Sequence, residues 1–252
     1  MSPRDDWQAL TRFTPARLAL GRAGNGLPTE RVLEFQLAHA RARDAVHSQL
    51  DLDALAASLA PSPVTRLRTQ AQTRLDYLTN PTLGRTLDDA SRATLTRGAY
   101  DAALIIADGL SATAIARHGA TLAKIILDAT PDIRWAPITA ITHGRVAVGD
   151  DVAEALGADM AIMLIGERPG LTATDGIGIY LTYAPKPGIT KDADRNCISN
   201  VRPEGLPLAE AAHRLRWLMQ QSRQLRLSGV ALKEDAPDLA IVDKTASAPD
   251  MS

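Results

Sequence analysis

Ala103–Ser111, ALIIADGLS, decides the fold. The apolar run Ala103–Ala107 suits a short buried strand, and Asp108-Gly109 then stops it. Ser111 stands where its hydroxyl can cap a helix over Ala112–Asp128. Strand, tight turn and helix start therefore follow one another within a few residues. The same order recurs downstream. Ile138–Thr142 reads as a strand ending at His143-Gly144, with Val146–Val148 as a short extension. Asp150 or Asp151 caps a helix over Val152–Leu156, and Gly157 stops it. Met160–Ile165 is a third strand, ending at Gly166, and Ile177–Tyr183 is a fourth, ending before Pro185. Short apolar strands alternating with helices predict an α/β fold: a doubly wound, mainly parallel sheet with flanking helices on both faces.

Upstream of this series, Val64–Gln70 suggests a further strand, Thr73–Leu78 a helical turn and Leu87–Thr96 a helix. Asp88 and Asp89 lie at the favourable positive end of that helix. Residues 1–62 read as a helical N-terminal arm. A turn at Pro15–Leu20 is broken by Gly21, Gly24 and Gly26, and a longer helix starts at Pro28-Thr29. Asp51 caps a helix over Leu52–Ala60 that Pro61 and Pro63 end. Trp7, Leu10, Phe13 and Leu18 make the arm mildly amphipathic. Downstream, Pro207 opens a long helix to about Leu227, with Ala211, Leu215, Leu218 and Leu225 on one face. The α/β domain then spans 63–232, and the polar, Pro/Ala/Asp-rich tail 233–252 is expected to be disordered.

Composition excludes several classes of function. The 252 residues are 45% hydrophobic, enough for a real core, yet only 4% aromatic, so that core is aliphatic and small. A net charge of -1 provides no global positive field to hold nucleic acid by its phosphates. Cys197 is the single cysteine, which rules out an intrachain disulfide and a Cys-rich metal site and suits a reducing cytoplasm. The histidines (His39, His47, His118, His143, His213) show no metal-ligand spacing. No apolar run is long enough to span a bilayer, and Met1–Asp6 lacks the apolar stretch of a secretory signal.

Ligands of such sheets bind beyond the carboxyl ends of the strands, and Asp108-Gly109, His143-Gly144 and Gly166-Glu167 all sit there. In Gly166–Gly170, GERPG, two glycines and a proline make a rigid loop that projects Glu167 as an acceptor. Spacing alone nevertheless favours an ordinary turn with a surface Glu–Arg pair. Ile106–Ser111 could greet an anion at a helix start, but Gly109 stands alone and Asp108 would repel phosphate, so a plain βα turn accounts for it equally well. Asp175–Tyr180, DGIGIY, leads into a strand and not a helix, so it is not a dinucleotide site. Cys197 falls in Arg195–Asn200, RNCISN, read as a polar loop. A nucleophile would need a base, for which only His143 offers itself, and a packing or passive contact role fits better. The residue pattern thus yields a ligand-competent rim without a catalytic constellation. A stand-alone α/β small-molecule binding or regulatory domain satisfies it too. A self-contained nucleotide-dependent enzyme does not, since no phosphate loop is present.

Several segments in order are more specific than the pattern. TPARLALGRAG from Thr14, Tyr77-Leu78 with Pro81–Arg85, IADGLSATAI from Ile106, GRVAVGDDVAEALGAD from Gly144, LIGERPGL from Leu164 and ADRNCISNVRPEG from Ala193 together resemble the ethanolamine ammonia-lyase small-subunit family. The resemblance implies one subunit of a carbon–nitrogen lyase that uses adenosylcobalamin to convert ethanolamine to acetaldehyde and ammonia by a radical route. It implies a large-subunit partner that carries the substrate pocket, a hetero-oligomer of the (αβ)6 type, and a cytoplasmic location, inside a bacterial microcompartment where one exists. The family's cobalamin contacts match Val146 in GRV, Glu167 in GERPG and Cys197 in NCISN, as contacts and not as catalytic groups. The DxHxxG pattern of cobalamin domains that replace the tail base with histidine is absent. The cofactor is therefore expected base-on, with its cobalt not ligated by this chain.

Overall fold

The computed structural model describes residues 9–14 and 16–237. Trp7, Pro15 and residues 238–252 of the tail lie outside the described residues. Helix α1 (Thr29–His47) and helix α2 (Leu52–Ser58) precede the sheet. Asp51 caps α2 as expected, accepting from the backbone N–H of Asp53 and Ala54. The turn expected around Pro15–Leu20 is not helical over its described residues; a 3-10 turn lies earlier, at Leu10–Phe13. Strand β1 (Val64–Arg68) is followed by α3 (Arg74–Thr79), α4 (Asp89–Thr94) and β2 (Tyr100–Ala107). Thr73 and Asp76 close a reciprocal capping box on α3. Next comes α5, which runs as Ala112–Ala114, a π turn Ile115–Gly119 and Ala120–Ala129. It is followed by β3 (Ile138–Thr142), α6 (Val148–Leu156), β4 (Ala158–Gly166), β5 (Ile177–Tyr183), β6 (Arg195–Val201) and α7 (Leu208–Leu225).

The six strands form one mixed sheet in the order β1-β3-β2-β4-β5-β6. β1, β3, β2 and β4 run parallel, whereas β4–β5 and β5–β6 are antiparallel. The expectation of a doubly wound, mainly parallel sheet is corrected to this extent: the last third of the sheet is an antiparallel meander. The connection from β4 to β5 is a hairpin-like excursion with no crossover helix, and only a crossover can return a strand parallel.

The apolar run that defines β2 is buried on both faces. Leu104 and Ile106 point to one side, with Ile162, Leu164, Ile179, Leu122, Ile126, Leu215 and Leu218. Ala103, Ile105 and Ala107 point to the other, with Leu67, Ile141, Met163, Val148 and Val152. Helices α5 and α7 cover the first face; α6 covers the second over β2 and β4. Leu225, expected on the apolar face of the last helix, is instead exposed near its end. Beyond α7, Glu234 lies 3.3 Å from Arg214, and the Pro237 carbonyl accepts from His213 Nε2 at 2.8 Å, so residues 233–237 run along that helix.

Helix α6 starts at Val148, so the expected strand extension at Val146–Val148 does not form and neither aspartate is its N-cap. Both sit in the first turn, buried, and do other work. Asp150 accepts from both terminal nitrogens, Nη1 and Nη2, of Arg195 on β6 at 2.7 Å, and Arg195 Nη1 also donates to Thr182 on β5. Asp151 accepts from the backbone N–H of Leu87, and burial pushes its carboxyl above the ordinary range. Asp150–Arg195 thus ties the helical layer to the far edge of the sheet. Removing Asp150 leaves the buried Arg195 with only a longer contact, 3.8 Å, to the exposed Asp192 carboxylate, so Asp150→Ala is expected to cost about 3–5 kcal/mol of unfolding free energy. A paired apolar replacement (Asp150→Leu with Arg195→Met) should recover much of it. Denaturant unfolding of the two variants beside the parent checks this, and an unchanged midpoint for Asp150→Ala would refute it.

Candidate functional site

The carboxyl ends of β2, β3 and β4 deliver Asp108, His143 and Gly166 to one rim, as the sequence predicts. Their roles separate sharply. Asp108 is buried, 3.4 Å from Arg74 Nη1, and accepts from the Gly144 N–H at 3.2 Å. Burial pushes its carboxyl up against the pull of these partners. It locks two strand-end turns together and is almost wholly buried. Arg74 also donates to the carbonyls of Gly109 at 2.8 Å and Val46 at 2.7 Å, which fastens α1 to the rim. His143, with a positive φ of 58°, donates from Nδ1 to the Ala71 carbonyl at 3.0 Å. Beside it, the fully buried Tyr77 has the guanidiniums of Arg74 and Arg145 at 4.7 and 4.2 Å from its ring centre. Burial pushes its phenol up to about 12.

Arg145 and Tyr77 form one wall of a cleft of about 450 Å³ whose lining also includes Val146, Glu167, Arg168 and Tyr180. Val146 and Glu167, predicted from separate motifs, therefore meet at one opening. Among the described residues Glu167 forms no Glu–Arg pair. Its carboxylate accepts from Ser199 Oγ at 2.5 Å and from the backbone N–H of Asn200 at 3.1 and 3.2 Å. The carboxylate lies directly over β5. A Cβ on Gly176 would stand 2.9 Å from Glu167 Oε2, and one on Gly178 would stand 3.3 Å from Oε1. The glycines of DGIGIY thus exist for the close approach of this side chain. The GERPG, DGIGIY and NCISN segments form a single constellation around one carboxylate.

Cys197 is on a strand and not in a loop, which corrects the sequence reading. β6 is the sheet's outer strand, and Cys197 is the register partner of Tyr180, a cleft-lining residue. Its signal was weak because Asn196, Ser199 and Asn200 are polar and only Ile198 and Val201 of the apolar residues are buried. On this face α6 covers β2 and β4, while Tyr180 is half-buried and Cys197 and Ser199 are exposed. His143 and Cys197 cannot act as a pair. β2, β4 and β5 separate their strands, a gap of about 19 Å at roughly 4.8 Å per strand. Desolvation against the sheet and the charge of Glu167 both push the Cys197 thiol up, outweighing the opposing hydrogen bond with Tyr180. Burial, helped by Cys197, likewise pushes up the Tyr180 phenol. Among the described residues no group of three or more His, Cys, Asp or Glu side chains could hold a metal ion, and no helix is long and apolar enough to cross a membrane.

The comparisons with known proteins bear on what this rim is for. The family model "Ethanolamine ammonia-lyase light chain (EutC)" matches residues 4–233. The chain belongs to the ethanolamine ammonia-lyase small-subunit family. It is 52% identical over 243 residues to the ethanolamine ammonia-lyase small subunit of Ralstonia nicotianae, an alignment covering 92% of this chain and 90% of that one. It is 49% identical over 253 residues to that of Azotobacter vinelandii, covering 96% and 93%. The small subunit of Pseudomonas syringae pv. tomato is 47% identical over 245 residues, covering 93% and 85%. The resemblance read from the motifs is thereby confirmed, and two of the segments that carried it, LIGERPGL and ADRNCISNVRPEG, meet around Glu167.

A raised thiol pKa lowers the thiolate fraction at neutral pH, and the thiolate is the reactive form. Cys197, although exposed, should alkylate with iodoacetamide more slowly at pH 7 than a free cysteine thiol does. Its rate should keep climbing at pH values where the free thiol has levelled off. Mass spectrometry of the alkylation time course across pH reads this directly, and a fast, pH-independent reaction at pH 7 would refute the raised value.

Proposed function

We propose that this chain is the small subunit of an adenosylcobalamin-dependent ethanolamine ammonia-lyase, a carbon–nitrogen lyase that yields acetaldehyde and ammonia, and that its rim closes over the cobalamin where the chain meets the large subunit. The observation that carries this reading is the convergence of Val146 and Glu167 on one cleft, beside an uncovered half of the sheet that holds Cys197. The residues present fit an edge of such a cofactor. Glu167 offers an acceptor to an amide or hydroxyl, Arg145 and Arg168 offer donors, and Val146 and Ile165 offer apolar contact. The cleft is far smaller than a corrinoid, so this chain would hold an edge and a partner would hold the rest.

When bound, adenosylcobalamin supplies the radical through its cobalt–carbon bond, and the hard chemistry is the cofactor's. This chain's residues bind and orient. Glu167 is already fixed by Ser199 and Asn200, so it meets its ligand without first being ordered. Cys197 stays a thiol at neutral pH and acts as a contact. On this reading no side chain among the described residues would ligate the cobalt. The partner is the large subunit, in a hetero-oligomer of the (αβ)6 type, cytoplasmic and enclosed in a microcompartment where one is present.

In the enzyme reconstituted with its large subunit, Glu167→Ala is expected to raise the apparent KM for adenosylcobalamin about tenfold, the effect of losing a hydrogen bond to a charged acceptor. The KM for ethanolamine should move far less. An unchanged cofactor KM would overturn the role given to Glu167. Cys197→Ser should retain substantial activity; complete loss with normal cofactor binding would assign that sulfur a chemical role.

A further inference from the structure

Glu167 is aimed by a chain of contacts that begins outside the cleft. Asp175 sits at the far end of the GERPG excursion, its side chain only 14% exposed. Arg117 and His118 reach it from the π turn of α5, at 3.0 and 3.4 Å. A second guanidinium, with Arg202 Nη1 at 3.8 Å, also faces it. Arg202 is itself 13% exposed, and its Nε donates to Asn200 Oδ1 at 3.0 Å.

Asn200 is held by its backbone N–H, its carbonyl and its side-chain oxygen. Its carbonyl accepts from the Leu206 N–H at 2.9 Å, and the turn is closed by Arg202 N–H donating to the Leu206 carbonyl at 3.0 Å. A Cβ on Gly205 would stand 2.4 Å from the Asn200 carbonyl oxygen, so only glycine lets the turn close this tightly. The φ of Asn200 is 58°, in the left-handed region, and in that conformation its N–H meets both oxygens of Glu167. The backbone of Glu167 is tied to the same place, since its N–H donates at 3.0 Å to the carbonyl of Gly176, the neighbour of Asp175.

We propose that Asp175 and Arg202 are positioning residues for the cofactor contact: acting through Asn200, the pair holds the Glu167 carboxylate in the orientation from which it accepts a donor of the cobalamin. Neither residue touches the ligand. The inference rests on the reading of Glu167 as a cofactor contact, and its consequence is a specific non-additivity. If Arg202 matters only by aiming Glu167, it loses its effect once the carboxylate is gone.

The test uses the assembled enzyme with its large subunit. Arg202→Ala, Asp175→Asn, Glu167→Ala and the double variant Glu167→Ala with Arg202→Ala are compared by apparent KM for adenosylcobalamin, KM for ethanolamine, kcat, and absorbance titration with hydroxocobalamin, alongside thermal melting. Arg202→Ala should raise the cofactor KM and weaken the titrated affinity about fivefold, the effect of one positioning hydrogen bond. The kcat and the ethanolamine KM should stay within about twofold. Asp175→Asn, which keeps the size of the side chain, should shift the cofactor values in the same direction by less. Should Arg202→Ala fail to assemble, Asp175→Asn and its combination with Glu167→Ala carry the same comparison. In the Glu167→Ala background, Arg202→Ala should add less than about twofold. Additive effects in the double variant overturn the proposal, as does an unchanged cofactor affinity in Arg202→Ala when Glu167→Ala alone weakens it. A Glu167→Ala enzyme with unaltered cofactor affinity instead removes the reading of Glu167 itself, and this proposal with it.

Discussion

A strand with apolar side chains on both faces must be covered on both, and β2 is that strand. Leu104 and Ile106 demand one helical layer, and Ala103, Ile105 and Ala107 demand another. α5 and α7 meet the first demand and α6 the second. The chain leaves the carboxyl end of β2 toward β3 and that of its neighbour β4 toward β5, in opposite directions along the sheet, and the turns after these strands open onto a common rim. Asp108, buried against Arg74 and the Gly144 N–H, fastens that rim from below.

The second layer stops short. α6 reaches β2 and β4 but leaves the same face of β5 and β6 to polar and small groups: Gly178, half-buried Tyr180, and exposed Cys197 and Ser199. A face that kept large apolar side chains there would need a further helix or would aggregate at the edge. Instead the Glu167 carboxylate folds down over the two glycines and is hydrogen-bonded by β6. What limits α6 therefore also creates the site: the absence of a covering helix gives the carboxylate room, and the absence of side chains at Gly176 and Gly178 gives it depth.

This division explains what was legible in the sequence. β2 to β5 announce themselves because their demands are local: short, mainly apolar runs bounded by Asp-Gly, His-Gly, Gly or Pro, and β1 shows a thinner alternation of Val64 and Leu67 with Thr and Arg. β3 and β5 are read to the residue. β6 is not, because only Ile198 and Val201 point into the core and a register shift near Ile177/Ile179 breaks the alternation between them. The antiparallel turn of the sheet escapes for a related reason. Strand direction depends on the connection, and no helical period lies between Gly166 and Ile177 to be noticed missing. Asp150 and Asp151 mislead in the opposite sense: acids before a helical stretch resemble caps, yet the helix begins two residues earlier and Arg195, 45 positions on, claims Asp150.

The site was legible in its parts and not in its assembly. Glu167 follows a strand directly, and Val146 follows another, so each could be placed on the rim. Their approach to a common cleft depends on β2 lying between β3 and β4, which no local pattern encodes. The partner that makes Glu167 a fixed acceptor, the Asn200 N–H, is available only because Asn200 adopts a left-handed backbone that Gly205 and Leu206 enforce. A free glutamate on a surface loop would lose rotamer freedom on meeting a ligand, and that cost would be subtracted from affinity. Here the ordering is complete in the folded chain. The bare β5–β6 face, the paired glycines and the left-handed asparagine are three consequences of one requirement: a carboxylate held rigid at the margin of a sheet.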